Sequence, residues 1–211
     1  MNATLINKMI ALDGKEKTIL KSSHSIQNSV ERMDRMIGDL LDAAKIESKS
    51  LIVDPEPHSL SLPLDQVFRL QEVAAASKAI LIERACPVTE CALVCDKERI
   101  VQVLCRLVEK AIRFSPENGR VVISTEDLND EVVVSVKDQG PGISEQLIPQ
   151  LFDRYRKEPR VDRKGFELSN FVAAGIVAAH GGRIWVENTP NQDTTFLFSL
   201  PKRTFPLVQI G

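Results

Sequence analysis

The chain has 211 residues, 43% of them hydrophobic, and a formal net charge of -2. This length suits one mid-sized domain with an appendage, and the hydrophobic content is enough for a globular core. The charge lacks the basic signature of nucleic-acid binding, no apolar run approaches the ~20 residues of a membrane span, and the first residues do not have the pattern of a secretory signal. We therefore expect a cytoplasmic protein with no nucleic-acid partner and no membrane span in this chain.

A long amphipathic helix dominates residues 1–50. A short helix over 2–12 ends at the turn signal Asp13-Gly14, and a helix over about 15–48 follows. Its apolar residues recur at alternating spacings of four and three, which is a heptad seam with one polar break at Ser23. The seam consists of Ile19, Ile26, Val30, Met33, Ile37, Leu40 and Ala44. Since one helix cannot bury such a stripe alone, we expect helix 2–12 and a second copy of the chain to cover it; packing on the chain's own globular domain is the alternative.

Shorter helices and strands follow a linker that contains several prolines. The linker includes one short strand near 56–60, and a helix runs from Pro63 to about Lys78. A second helix begins after Asp96, whose side chain can accept hydrogen bonds from the exposed first-turn amides, and ends before Pro116. Short strands are predicted at 80–83 and 93–95.

Two hairpins and two further helices complete the pattern. The hairpins are 120–126 with 131–137 and 183–187 with 194–200; the helices are 144–155, with Ser144 as its N-cap, and 168–180, ended by Gly181. Helices combined with mostly antiparallel strands predict an α+β fold, with the helices on one face of the sheet.

The four cysteines have spacings unlike those of a zinc site. Cys86, Cys91, Cys95 and Cys105 include no C-x2-C pair, and no histidine lies among them. Cys95 and Cys105 lie in apolar stretches typical of small core residues. We therefore predict reduced thiols and no metal site.

The clearest chemical signal is a glycine-rich turn after a strand of valines. The strand ends at Asp138, and Gly140, Gly142 and Ile143 follow. Two glycines two residues apart let the backbone turn tightly and come close to a ligand, and an aspartate at the strand's end offers a fixed acceptor for an amino group. The alternative is a turn without a functional role.

From about Ile26 to Pro201 the chain resembles the sensor histidine kinases of bacterial two-component systems. The similar segments, in the family's order, are the second helix of the dimerisation and phosphotransfer hairpin (29–47), the N box (96–116), the G1 box (138–143), the F box (151–155) and the two closing segments (179–187 and 195–201). The resemblance implies an α+β fold: a helical hairpin over 1–50, which forms a four-helix bundle in a dimer, and an ATP-binding α/β sandwich of the histidine kinase, gyrase and chaperone type over 51–211.

The resemblance also implies a set of nucleotide-binding residues. Asp138 would accept from the adenine amino group, Gly140 and Gly142 would let the backbone approach the nucleotide, and Arg113 would reach phosphates. The other residues expected to bind or border the nucleotide are Ile143, Arg106, Lys110, Phe114, Phe152, Gly165, Leu168 and Thr195. Without the resemblance, the two phenylalanines are interpreted as core residues.

Departures from the family pattern fall on positions that handle metal and phosphate. Lys110 stands where the N box has its metal-binding asparagine, and Arg106 stands where a second polar residue is common. A lysine ammonium has donors and no acceptor, so it cannot ligate magnesium. The G2 pattern G-x-G-L-G-L falls on 165–170, where Glu167 and Ser169 replace two glycines. A carboxylate at this place would repel phosphate.

The family's phosphoaccepting histidine is not found in this sequence. By the family spacing it would lie roughly half a dozen residues before Met1, so we expect the sequence to begin just after that motif. His24, His58 and His180 lack its context. We therefore assign no catalytic residue and leave open whether the chain is an enzyme.

The expected function is a two-component histidine kinase core that is impaired or inactive. ATP or ADP would bind weakly and without magnesium. The chain would dimerise through the long helix and contact a response-regulator receiver or another histidine kinase. The basic residues of 154–164 predict a positive pocket mouth, with a solvated loop as the alternative. Two other functions stay open: an active kinase truncated before its phosphoacceptor helix, and an interaction scaffold with an empty pocket.

Overall fold

The computed structural model describes residues 26, 29–30, 33–85, 92–154, 166–188 and 193–202, without the side chains of 92, 166 and 167. The chain divides into two compact units, Met1–Asp42 and Ala43–Gly211. The predicted domain boundary near residue 50 stays a prediction. Helix 2–12, Cys86, Cys91, Gly165 and most of the basic loop 154–164 lie outside the described residues, as does the side chain of Glu167.

Helix α1 covers residues 33–47, and residues 26, 29 and 30 are helical too. The described side chains of the predicted seam are exposed up to Leu40: Ile26, Val30, Met33, Ile37 and Leu40 are 53–65% accessible. Within the part of the chain that the structure describes, no helix has both the length and the apolar character needed to cross a membrane.

A five-stranded sheet forms the centre of the second unit. Its order is β2-β4-β5-β7-β6, with β2 at Leu81–Ala85, β4 at Arg120–Asp127, β5 at Glu131–Asp138, β6 at Ile184–Asn188 and β7 at Thr194–Pro201. All neighbouring pairs are antiparallel except β2 with β4. Both predicted hairpins are therefore confirmed. Two short strands, β1 (Glu56–Ser59) and β3 (Ala92–Cys95), pair antiparallel in a separate sheet.

The helices form the second layer of an α+β fold, as predicted. They are α2 (Ser61–Ser77), α3 (Lys97–Phe114) and α4 (Phe166–Ala179). Helix α3 contacts both other helices and strands β4 and β5, and α4 contacts β6 and β7. The core joins the apolar face of α3 to the inner positions of the strands; its fully buried members include Ile100, Leu104, Leu107, Ile123, Val134, Ile176 and Phe198. Burial of these side chains is the main favourable term in forming the layer.

Both ends of α3 are held by specific polar contacts. Asp96 caps its start as predicted, because the Asp96 side chain accepts from the Arg99 backbone N–H at 3.1 Å. At its end, Lys78 Nζ donates to the carbonyl oxygens of Ile112, Arg113 and Ser115 at 2.7–3.0 Å. A cation here meets the negative end of the helix dipole and fixes the last turn, which carries part of the candidate site.

Helix α4 ends at a buried histidine that has only a structural role in the described contacts. His180 Nε2 accepts from the Asp96 backbone N–H at 3.0 Å, and Nδ1 lies 2.8 Å from the Ile176 carbonyl oxygen. These two partners fix the neutral tautomer with its proton on Nδ1. Gly181 follows with a φ of 79°, the left-handed helix end that the sequence predicts.

The predicted helix over 144–155 is wrong. The structure has a 3-10 helix at Glu145–Gln150, and Ser144 makes no side-chain capping bond. Pro149 lies inside this turn. Proline has no backbone N–H for an α-helical hydrogen bond, and its ring clashes with the preceding helical turn. Helix α2 begins at Ser61, two residues before the predicted start at Pro63. Proline is tolerated throughout the first turn of a helix, because the N–H groups there have no partner within the helix.

Candidate functional site

A cavity opens where α3, the end of β5 and the start of β7 meet. It has about 330 Å³ of empty space, part of it continuous with solvent. Its lining consists of Lys110, Phe114, Asp138, Pro141, Gly142, Ile143, Leu151, Thr194 and Phe196. Apolar side chains form most of the wall, and one cation and one carboxylate face the same space. Such a wall with a few converging polar groups is the usual form of a ligand site.

A second, broader groove lies between α2 and β2. Its charged residues, Arg69 and Glu72, are exposed on the helix surface. In the cavity, by contrast, Lys110 is 7% and Asp138 is 2% accessible. Buried charges are retained only where specific partners stabilise them, so the cavity is the stronger candidate.

Asp138 is a buried acceptor held in one orientation by the backbone. Its Oδ1 accepts from the Gly140 N–H at 2.7 Å, and the backbone N–H of its cross-strand partner Thr194 donates to it as well. Burial raises the pKa of Asp138 above its ordinary value of 3.8, while these two hydrogen bonds and the charge of Lys110 act in the opposite direction. The carboxylate thus has a fixed direction and spare lone pairs for a donor in the cavity.

The glycine turn after Asp138 is shaped by close contacts. A Cβ on Gly140 would lie 2.7 Å from Asp138 Oδ1 and 3.2 Å from Phe114 Cβ, so no larger residue fits without displacement. Gly142 has a φ of 76°, which favours glycine. The predicted importance of both glycines to this turn therefore has a structural reason.

Asn188 holds the end of the same turn, a role that no pattern in the sequence predicts. Its Oδ1 accepts from the Ile143 N–H and its Nδ2 donates to the Ile143 carbonyl oxygen, both at 2.6 Å. The side-chain amide of Asn188 therefore makes the two backbone hydrogen bonds to Ile143 that a neighbouring strand would make. It connects the cavity wall to the end of β6.

Lys110 lies in the cavity and is held by helix α4 and strand β7. Its Nζ donates to Asn170 Oδ1 at 3.1 Å and lies 4.2 Å from the centre of the Phe196 ring, a cation–π contact. Asn170 Nδ2 in turn donates to the Leu151 carbonyl oxygen at 2.9 Å. One turn earlier on α3, Arg106 Nη1 donates to Ser169 Oγ at 3.3 Å.

The described residues around the cavity do not fit a magnesium ion. Lys110 offers only donors at the place where the resemblance puts a metal-binding asparagine, and Asp138 is the single carboxylate among the residues that line the cavity. In the described parts of the chain, no group of three or more His, Cys, Asp or Glu side chains is arranged to hold a metal. Cys95 is buried, and burial raises the pKa of its thiol to about 11, so this thiol stays protonated.

The structure brings part of the predicted set together. Lys110, Phe114, Asp138, Gly142 and Ile143 line the cavity, and Gly140 lies directly behind it. Arg106, Arg113, Phe152 and Leu168 are not among the lining residues: Arg113 is exposed, and Phe152 and Leu168 pack partly buried against the core.

Thr195 is a correction. In the pairing of β5 with β7, Asp138 lies opposite Thr194 and Lys137 lies opposite Thr195. Successive residues of a strand point to opposite faces of the sheet. Thr194 and Phe196 line the cavity, and Thr195 faces away from it. Side chains alternate between the two faces along β7. Counting in steps of two from Thr194, the residue opposite Asp138, places Thr194 and Phe196 on the cavity face.

Comparison with known proteins identifies the domain. Residues 95–204 match the family described as histidine kinase-, DNA gyrase B- and HSP90-like ATPases. The chain belongs to this family. The sensor histidine kinase WalK of Bacillus subtilis is 34% identical over 83% of this chain. A catalytic-domain structure of the histidine kinase ThkA superposes with a TM-score of 0.63 at 31% identity, covering 71% of this chain and 96% of that one.

The histidine kinase relatives are longer than this chain. It spans 29% of the length of WalK and 46% of the adaptive-response sensory kinase SasA of Rippkaea orientalis, which is 30% identical over 84% of this chain. A further ThkA structure, solved in complex with the response regulator protein TrrA, superposes with a TM-score of 0.65 at 27% identity, covering 84% of this chain and 49% of that one. The catalytic domain of a sensor histidine kinase is thus shown.

Replacing Asn188 by alanine should loosen the histidine kinase cavity. Because both hydrogen bonds to Ile143 are lost, we expect the free energy of unfolding to fall by about 2 kcal/mol in urea titrations. Amide exchange at Gly142 and Ile143 should accelerate more than exchange in β4. Asn129→Ala, on an exposed bend, is the control and should change neither quantity. Unaltered exchange at Ile143 in the Asn188 variant would contradict this role of Asn188.

Proposed function

We propose that the chain is a two-component histidine kinase core whose phosphotransfer is impaired or lost, and whose cavity binds an adenine nucleotide weakly and without magnesium. The observation that carries this proposal is Lys110: a lysine lines the cavity at the position where the resemblance places a metal-binding asparagine. A lysine ammonium can meet phosphate directly as a point charge, but it cannot replace the orienting effect of a divalent ion on a triphosphate.

The remaining cavity groups support adenine as the base. Asp138 has a fixed carboxylate for an amino group, and Phe114, Ile143 and Phe196 provide apolar surface for a flat ring. Ser169 supports the loss of phosphotransfer, because a glycine expected next to phosphate is replaced by a side chain whose hydroxyl accepts from Arg106.

The proposed partners follow from the exposed helix and from a relative. The described seam side chains from Ile26 to Leu40 are more than half exposed in the single chain, and an apolar stripe of this kind fits a second copy. The ThkA–TrrA structure supports a response-regulator receiver as a second partner; another histidine kinase is the alternative.

An active kinase is the second candidate function. It is favoured by the intact geometry of Asp138, Gly140 and Gly142, and by the fact that curated relatives such as WalK extend well beyond the matched region. In this case a phosphoacceptor outside the sequence would receive the γ-phosphate.

Metal dependence and phosphotransfer separate the two functions. We expect ADP and ATP to raise the melting temperature equally with EDTA and with magnesium, because a ligand of the folded state stabilises it and no metal site takes part. With radiolabelled ATP, magnesium and a separately supplied phosphoacceptor hairpin, we expect no transfer of label. Lys110→Asn should shift nucleotide binding toward magnesium dependence. Transfer of label by the unmodified chain would establish the active kinase instead.

Nucleotide affinity should depend on pH through Asp138. Burial raises its pKa, so on acidification the carboxylate is protonated, and lost as an acceptor, at a higher pH than the ordinary value of 3.8. Lys137 keeps the pKa of neighbouring Asp193 low, so Asp193 stays charged. Isothermal titration with ADP from pH 7.5 to 4.5 should show a larger decrease in affinity than Asp138→Asn shows, because protonation of the ADP phosphate affects both proteins alike. Identical pH profiles for the two proteins would contradict the role of Asp138.

The exposed seam should control association. Analytical ultracentrifugation should give about twice the chain mass of 23.5 kDa, and Ile37→Glu should convert the dimer to monomer because a carboxylate at the seam cannot be buried without a partner. Arg35→Glu, at the heptad position farthest from the seam, should leave the dimer intact. A monomeric unmodified chain at micromolar concentration would contradict the proposed dimer.

A further inference from the structure

We propose that Asn170 is the positioning residue for the Lys110 ammonium, and that together they supply a fixed positive charge for the phosphate of a metal-free adenine nucleotide. The inference rests on the nucleotide binding proposed above. Asn170 lies in α4 and is not among the residues expected from the sequence. It is 6% accessible, so its polar atoms depend on partners inside the protein.

Two partners fix the orientation of the Asn170 amide. Its Nδ2 donates to the Leu151 carbonyl oxygen at 2.9 Å, and a carbonyl can only accept. The opposite atom, Oδ1, therefore points to Lys110, whose Nζ lies 3.1 Å away and can only donate. The amide cannot be flipped without facing like groups against each other at both contacts. Asn170 thus sets the place of the ammonium in the cavity.

Asn170 is neutral, so its contact with Lys110 adds no negative charge beside the ammonium. An amide oxygen satisfies one donor of the ammonium, and the face of the Phe196 ring stabilises the cation without cancelling it. A carboxylate at position 170 would give an ion pair and remove most of the field that an incoming anion experiences. Asparagine therefore positions the ammonium without bringing a charge of its own to the cavity.

The same amide connects the cation to the cavity wall. Leu151, whose carbonyl Asn170 holds, is 3% accessible and lines the cavity. A ligand that draws the ammonium toward itself is therefore resisted by α4 and by the turn at Leu151 together. Ser169, the preceding residue of α4, contacts Arg106, so Arg106 and Lys110 donate to different side chains of α4.

The test is isothermal titration of the full chain with ADP in EDTA. We expect Asn170→Asp to weaken ADP binding by at least about tenfold, because it adds a negative charge beside Lys110 and also sets an oxygen against the Leu151 carbonyl. We expect Lys110→Met to weaken binding at least as much. Asn129→Asp is the matched control: it makes the same substitution on an exposed bend and should leave ADP affinity unchanged.

A double variant addresses folding. Asn170→Leu alone leaves a buried ammonium without this acceptor, whereas Lys110→Met with Asn170→Leu removes the cation too and leaves only the Leu151 carbonyl without its donor. We expect this double variant to melt higher than Asn170→Leu alone and to bind no ADP in EDTA. ADP binding by the double variant at unmodified affinity would overturn the proposed role of the pair.

The possible failures are distinguishable. If the unmodified chain does not bind ADP in EDTA, both the proposed function and the inference are wrong. If it binds ADP and Asn170→Asp binds equally well, the positioning role of Asn170 is wrong and metal-free nucleotide binding stands. Added sodium chloride provides a readout that a purely structural role would not change: ADP affinity should fall more steeply with salt in the unmodified chain than in Asn170→Asp.

Discussion

A buried ammonium constrains the whole site. Lys110 is 7% accessible, and a charge this far from water must be matched by groups on the elements packed around it. The oxygen of Asn170 and the ring of Phe196 meet this requirement from α4 and β7. Because Asn170 also holds the Leu151 carbonyl, one cation links three segments that are distant in the sequence. The architecture of the cavity thus follows from where the charge of Lys110 can be stabilised.

The negative charge in the cavity, on Asp138, is oriented by hydrogen bonds from backbone groups. Asp138 accepts from backbone amides of the glycine turn and of Thr194, and burial still raises its pKa. The site therefore contains a carboxylate aimed by the backbone and a cation aimed by a side chain, with apolar surface between them. A ligand that presents an amino group at one end and an anion at the other matches this arrangement, and an adenine nucleotide is such a ligand. Lys110 offers no acceptor at the place where the resemblance puts a metal-binding asparagine.

Local patterns in the sequence predicted much of the fold. The valine-rich strand before Asp138, the cap at Asp96 and the glycine after His180 act over a few residues, and each lies where the pattern placed it. The failures have identifiable causes. The predicted helix over 144–155 runs through Pro149, and the resemblance points to Thr195, one residue away from Thr194, a shift that reverses the face of a strand. The contact of Lys110 with Asn170 spans 60 residues and depends on how two helices pack, which no local pattern encodes.

The most direct measurement is an anomalous diffraction map of crystals of the full chain grown with ATP and manganese. Manganese replaces magnesium at oxygen sites and is visible by its own scattering. We expect nucleotide density against Asp138, the Lys110 ammonium beside Asn170, and no manganese peak in the cavity. A manganese ion coordinated by the nucleotide and by cavity residues, with Lys110 turned away, would contradict the replacement of the metal by a lysine.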